Sequence, residues 1–174
     1  MRRLLISASV ATALALLLLP GHRGQTPGGP RTPARVVRTV DGDTLVAAAG
    51  GRSFYVRLLG IDTPETHRPG TPVECGGPQA SASMRRLAPP GARIELQTDP
   101  GQDRVDRYGR LLAYVWLADG RLLEEAQLRT GWATTYVFQG RPVALFGRMA
   151  AAADAARRAR LGVWGACGGA FHAS

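Results

Sequence analysis

Val56-Arg57-Leu58-Leu59-Gly60-Ile61-Asp62-Thr63-Pro64-Glu65 runs out of an apolar strand into a turn dense with charge. Its branched and apolar residues suit a half-buried strand, and Gly60 and Pro64 mark where regular pairing ends. One guanidinium, two carboxylates and a hydroxyl sit within this stretch. A charge beside a core costs desolvation unless something pairs with it, so a purely structural strand has little use for such a set. A phosphodiester and a divalent cation would satisfy all of these groups.

Upstream, Arg35 to Val40 reads as a strand, Asp41-Gly42 as a tight turn and Thr44 to Ala49 as the returning strand. Gly50-Gly51 then turns the chain into Arg52 to Leu59, which completes a three-stranded meander. Downstream, Thr66 to Gly77 has the Pro and Gly content of a loop. Pro78 to Leu87 has helical character, with Pro78 tolerable at a first helical position, and Pro89-Pro90-Gly91 stops it. Arg93 to Leu96 alternates as a fourth strand, and Leu111 to Leu117 reads as a fifth. Arg121 to Arg129 and Pro142 to Leu161 read as helices, closed by Gly131 and Gly162. Five short strands with helices between and after them predict an α+β, mainly β architecture: a small barrel with packed helices.

The chain has 174 residues, enough for one domain with a real core. All 22 basic residues are arginine, and the formal net charge is +9, so the protein attracts polyanions. Residues 1–24 read as a secretory signal: Met1-Arg2-Arg3 is a positive start and Leu4 to Leu19 a mostly apolar run, a little short for a membrane span. An uncleaved anchor is the alternative. Removal of this segment leaves 19 arginines against 13 carboxylates, a charge of +6. Residues 25–33, rich in Gly, Pro and Thr, read as a disordered linker, 34–168 as the folded domain and 169–174 as a tail. Two cysteines, Cys75 and Cys167, in an exported chain suggest one disulfide closing about 90 residues. Two buried thiols are the alternative.

Three motifs gather the chemistry. Asp41-Gly42-Asp43-Thr44 lies on a hairpin turn, Arg57 to Glu65 on the central strand and its exit, and Asp106-Arg107-Tyr108-Gly109-Arg110 just before the fifth strand. In this order they resemble the staphylococcal nuclease (thermonuclease) family over roughly Ala34 to Gly165. Gly77-Pro78-Gln79-Ala80-Ser81, Leu112-Ala113-Tyr114-Val115 and Gly162-Val163-Trp164 extend the likeness. The resemblance implies an OB-fold, a five-stranded barrel with three helices, and a calcium-dependent nuclease acting on DNA and RNA. It makes Asp43 and Asp62 the Ca2+ carboxylates, Thr63 the donor of a backbone carbonyl and Asp41 a neighbour that supports them. Arg57 and Arg110 correspond to the guanidiniums on the scissile phosphate, and Glu65 to the carboxylate that activates water.

These residue types suit that chemistry. Calcium takes oxygen ligands and gathers negative charge on a phosphoryl group. Guanidiniums offer planar forks to phosphate oxygens. By the same resemblance Arg107, Tyr108, Tyr136 and Phe138 contact substrate, and aromatic stacking tolerates any base. Phe138 departs from the family's usual tyrosine, and Arg107 replaces a frequent lysine. Core packing is the competing account of the aromatics. The competing function is a non-catalytic nucleic-acid-binding OB module, which has no use for Asp43, Asp62 and Glu65 converging beside a phosphate. His67 reads as a solvated loop residue, His172 as part of a frayed tail, and Trp116, Trp132 and Trp164 as core anchors. The arginines of the last helix read as a solvated face with Asp154. A monomer is expected, since no amphipathic seam is left over.

Overall fold

The computed structural model describes residues 28–66, 70 and 72–172. The expected signal, the first residues of the expected linker and His67 lie outside that set. The strands are β1 (Thr32–Thr39), β2 (Thr44–Ala49), β3 (Arg52–Leu58) and β4 (Ile61–Asp62), followed by helix α1 (Gly77–Leu87). Then come β5 (Arg93–Gln97), β6 (Leu111–Leu117), α2 (Leu123–Arg129), β7 (Thr134–Thr135), α3 (Phe146–Arg158) and α4 (Val163–Ala166).

β1, β2, β3, β6 and β5 close into a barrel in that order, and β4 pairs with β7 beside it. Every barrel pairing is antiparallel except β3 with β6, which run parallel with Val56 opposite Leu111 and Arg57 opposite Leu112. This is the small barrel that the strand pattern predicts and the OB-fold that the resemblance implies. Its core takes Leu45, Val56, Leu58 and Tyr114 from the sheet and Met84, Leu123, Leu128 and Met149 from the helices, all fully buried. Burial of one such aliphatic side chain is worth roughly 1.5–3 kcal/mol.

Several boundaries differ from the sequence reading. β1 starts at Thr32, inside the expected linker, because Pro33 lies opposite Glu95 on β5. The residues before it are anchored too: Arg31 lies 3.7 Å above the Trp116 ring and 3.3 Å from Glu95, and Gln97 donates to the Gly29 carbonyl at 3.0 Å. α3 starts at Phe146 rather than Pro142, since Val143 and Leu145 turn into the core and the Ala144 amide donates to Asp99 Oδ2 at 2.7 Å. α2 starts at Leu123 because the Arg121 carbonyl accepts the Leu117 amide at 2.8 Å, extending the turn after β6.

The expected tail is also ordered at its start. Phe171 is buried and meets Trp164 edge to face, with ring centroids 4.9 Å apart. Trp116 belongs to the core, whereas Trp132 and Trp164 are half-buried. Cys75 and Cys167 form the disulfide, with Cα atoms 5.9 Å apart. Among the described residues no helix is long and apolar enough to cross a membrane.

Candidate active site

The hairpin turn between β1 and β2 presents its carboxylates to the exit of β3. Thr44 lies directly opposite Arg57 in the ladder, which fixes the turn's register against the guanidinium. Asp43 is buried; its Oδ1 accepts from the Thr44 hydroxyl at 2.9 Å and pairs with Arg57 Nε at 3.1 Å. Its Oδ2 accepts from the Thr63 amide at 3.2 Å and the Thr63 hydroxyl at 3.1 Å. Asp41 Oδ1 caps the arrangement by accepting the Asp43 amide at 3.0 Å. Gly42 is required between them, because a Cβ there would stand 2.7 Å from both the Ala80 Cβ and the Thr63 hydroxyl.

A buried polar side chain of α2 holds the turn from behind. Gln127 donates through Nε2 to the carbonyls of Gly42 and Ala80, both at 3.0 Å, and accepts from the Ser83 hydroxyl at 2.7 Å. An interior amide is stable only when its groups are satisfied in this way.

Arg57 faces inward. Its Nη1 donates to the carbonyls of Leu58 at 2.8 Å and Ile61 at 2.7 Å, and its Nη2 to Asp62 Oδ1 at 2.9 Å. Three of the five guanidinium N–H groups are thus hydrogen-bonded and Nε pairs with Asp43 Oδ1 at 3.1 Å, which leaves one Nη2 hydrogen clear of the cluster rather than the expected fork. Arg110 is more available. Its Nε donates to Asp106 Oδ2 at 2.7 Å and one Nη1 hydrogen to the Thr44 hydroxyl at 3.4 Å, which leaves three N–H groups.

The electrostatics follow from this crowding. Burial by itself lowers the Arg57 pKa, but the carboxylates of Asp43, Asp62 and Asp41 more than offset it and hold the group above its ordinary value. Burial, then the neighbouring Asp43 charge, pushes Asp41 up to about 7. Asp62 is raised by burial and by Asp43 against the opposing pull of Arg57. Asp106 goes the other way: its hydrogen bonds from Arg110 and Tyr108 outweigh its burial. Three carboxylates around one guanidinium are short of positive charge, and an oxygen-rich, negatively charged set of this kind fits a hard divalent cation. Among the described residues no three His, Cys, Asp or Glu side chains close around one metal position, so a cation would also draw on carbonyl and water oxygens.

Beside this cluster opens a cleft of about 500 Å³, lined among others by Arg57, Asp62, Arg110, Tyr108, Tyr136 and Phe138. Tyr136 is placed there by its amide, which donates to the Gly60 carbonyl at 2.9 Å next to the β4–β7 pairing. Tyr108 is 67% exposed, Tyr136 42% and Phe138 44%, which excludes core packing as their purpose. The guanidiniums of Arg107 and Arg110 stand 4.7 Å and 5.3 Å from the centre of the Tyr108 ring.

The structure thus brings Asp41, Asp43, Arg57, Asp62, Thr63 and Arg110 together and sets Arg107, Tyr108, Tyr136 and Phe138 along the adjoining cleft. Glu65 is half-buried at the end of the same turn and does not line the cleft; its amide donates to Glu74 Oε2 at 2.7 Å. Sequence reasoning missed four supporting residues. Asp106, four residues before Arg110 in the quoted motif, carried a signal as its i,i+4 partner, and Gln127 carried one as a polar residue on an apolar helix face. Glu74 and His172 had no local signal. His172, expected in a frayed tail, lies 3.0 Å from Asp62 Oδ2 and 3.0 Å from Glu74 Oε2.

Similarity to known proteins agrees with this geometry. The chain is 42% identical over 103 residues to "Endonuclease YncB" of Bacillus subtilis (strain 168), covering 59% of this chain and 47% of that protein. It is 42% identical over 83 residues to the thermonuclease of Staphylococcus hyicus, covering 48% and 47% of the two chains. Against the thermonuclease of Staphylococcus intermedius the identity is 45% over 85 residues, with 48% of each covered. The chain spans about half the length of these relatives. The model of the family described as staphylococcal nuclease homologue matches residues 55–166, from β3 through α4, and with the barrel and its carboxylate–guanidinium cluster this places the chain in that family.

Proposed function

We propose that this protein is an exported, calcium-dependent nuclease that hydrolyses phosphodiester bonds of DNA and RNA and acts as a monomer. The observation that carries the reading is the junction of an acidic cluster around Arg57 with an arginine- and tyrosine-lined cleft. Asp43, Asp62 and the Thr63 carbonyl would hold Ca2+, which when bound polarises a phosphoryl oxygen and offsets the charge gathered in the transition state. Asp41 orders the turn through its bond from the Asp43 amide.

The chain's own groups do the rest. Arg110, fixed at Nε by Asp106, turns its remaining N–H groups toward a phosphate, and Arg57 adds its last N–H from the floor of the cleft. Glu65 accepts the proton of the attacking water, help worth about 10²–10⁴ in rate. Tyr108, Tyr136 and Phe138 stack bases without regard to sequence, and Arg107 adds positive charge beside Tyr108. Phe138 stacks but lacks the hydroxyl of a tyrosine. Residues 1–24 would direct export, and the disulfide suits an oxidising compartment.

The test is release of acid-soluble nucleotides from single-stranded DNA and from RNA by the oxidised protein, with calcium, with magnesium and with a chelator, alongside Glu65→Gln. Cleavage that requires calcium and drops at least 100-fold in the variant is expected. Binding without cleavage under every metal would overturn the reading in favour of a binding module.

A further inference from the structure

The last described residue of the chain reaches the site from the far end of the sequence. His172 places one ring nitrogen 3.0 Å from Asp62 Oδ2 and the other 3.0 Å from Glu74 Oε2. The same Glu74 oxygen takes the Glu65 amide at 2.7 Å, and the Glu74 amide returns a bond to the Glu65 carbonyl at 3.0 Å. Asp62, His172, Glu74 and the Glu65 backbone therefore form one continuous hydrogen-bonded path along the turn that carries the site.

Both ends of this path are held by the fold. Cys75 follows Glu74 directly, and its disulfide partner Cys167 lies five residues before His172. Between them the tail folds back on α4: the Gly169 amide donates to the Val163 carbonyl at 3.0 Å, and Phe171 buries its ring against Trp164. The Glu74 side chain is only 8% exposed. His172 is thus delivered by an anchored segment.

We infer that the C-terminal tail is part of the active site, with His172 and Glu74 acting as positioning residues that fix the Asp62 carboxylate and the Glu65 backbone. This rests on the proposed function. Arg57 grips Asp62 Oδ1 and His172 grips Oδ2, so the carboxylate plane is set from both ends. An ionised carboxylate has about four lone-pair sites, so each oxygen keeps one for a cation. Loss of such an outer partner of a metal ligand typically costs about 10- to 100-fold in metal affinity or activity. A tail that merely covered the site would act in the opposite sense.

The experiment compares the full oxidised chain with His172→Ala, His172→Gln, Glu74→Gln and the His172→Ala, Glu74→Gln double variant. Calcium Kd is read by titration calorimetry, kcat and KM on single-stranded DNA, and Glu65 amide exchange by NMR without metal. His172→Ala is expected to raise the calcium Kd at least 10-fold, lower kcat, leave KM within twofold and speed Glu65 exchange at least 10-fold. His172→Gln should recover part of each effect, and the double variant should be no worse than the worse single, since both act on one path. An unchanged calcium Kd and unchanged exchange in His172→Ala would overturn the inference, as would tighter calcium binding or a higher kcat, which would make the tail a blocker. A parent chain that neither binds calcium nor cuts would overturn the proposed function itself, and Glu65 exchange would still decide whether His172 and Glu74 hold the turn.

Discussion

Arg57 shows how one residue serves structure and chemistry together. Three of its N–H groups bond Asp62 and two carbonyls and its Nε pairs with Asp43, so its removal would strand buried carboxylates as well as remove the proposed phosphate contact. Glu124 poses a cleaner question, because it is fully buried, touches no cleft and accepts the Val115 amide at 3.1 Å. Burial raises its pKa well above the ordinary carboxyl value of 4.5. The folded state therefore keeps a proton that the unfolded chain has released, and stability falls as pH rises above 4.5 toward the raised value. Glu124→Gln, which copies the protonated form, should lose this dependence, gaining on the parent protein as pH is raised in urea unfolding measured from pH 4.5 upward. At this scale the sequence shows which residues carry charge but not which way they face: the motif marked Arg57 as a candidate phosphate ligand, while its inward turn onto Asp43 and Asp62 was not legible.

Among the elements, α2 does most to place the site while contributing nothing to the cleft. Its Gln127 links the Gly42 carbonyl of the hairpin turn to Ala80 and Ser83 of α1, so the turn, α1 and α2 are tied together at one buried side chain. Gln127→Leu keeps the volume and removes every one of these bonds. Each buried group left without a partner costs about 1–3 kcal/mol, so a loss of several kcal/mol in urea unfolding is expected; under the proposed function calcium binding would weaken too, because Asp43 follows the freed turn. The barrel strands and the helix cores were readable from alternation and from Gly and Pro stops. Two of the missed boundaries share one cause: residues 28–33 and Pro142 to Leu145 take their order from partners distant in sequence, namely Trp116, β5, Asp99 and Tyr114. Composition cannot register such partners.

For the whole molecule, the disulfide joins residues 92 apart and ties the loop after the charged turn to the end of the fold. The chain-entropy model gives a closed loop of that size about 4 to 5 kcal/mol as an upper figure. Reduction, or the Cys75→Ser, Cys167→Ser pair, should lower the melting temperature by 10 °C or more while the isolated barrel keeps its far-ultraviolet dichroism. A melting temperature unchanged by reductant would show that packing alone holds the tail. The pairing was readable from the cysteine count, whereas the route of the tail past Trp164 to Asp62 was not, because it depends on where the last helix stops and turns back.

The parallel pairing of β3 with β6 has a consequence in time. Arg57 and Arg110 are brought into one site only when Val56 meets Leu111, and the chain between them must first lay down α1 and β5. Contacts so far apart in sequence form late and slowly. A growing chain therefore holds its two guanidiniums apart, and the candidate active site stays incomplete until the barrel shuts.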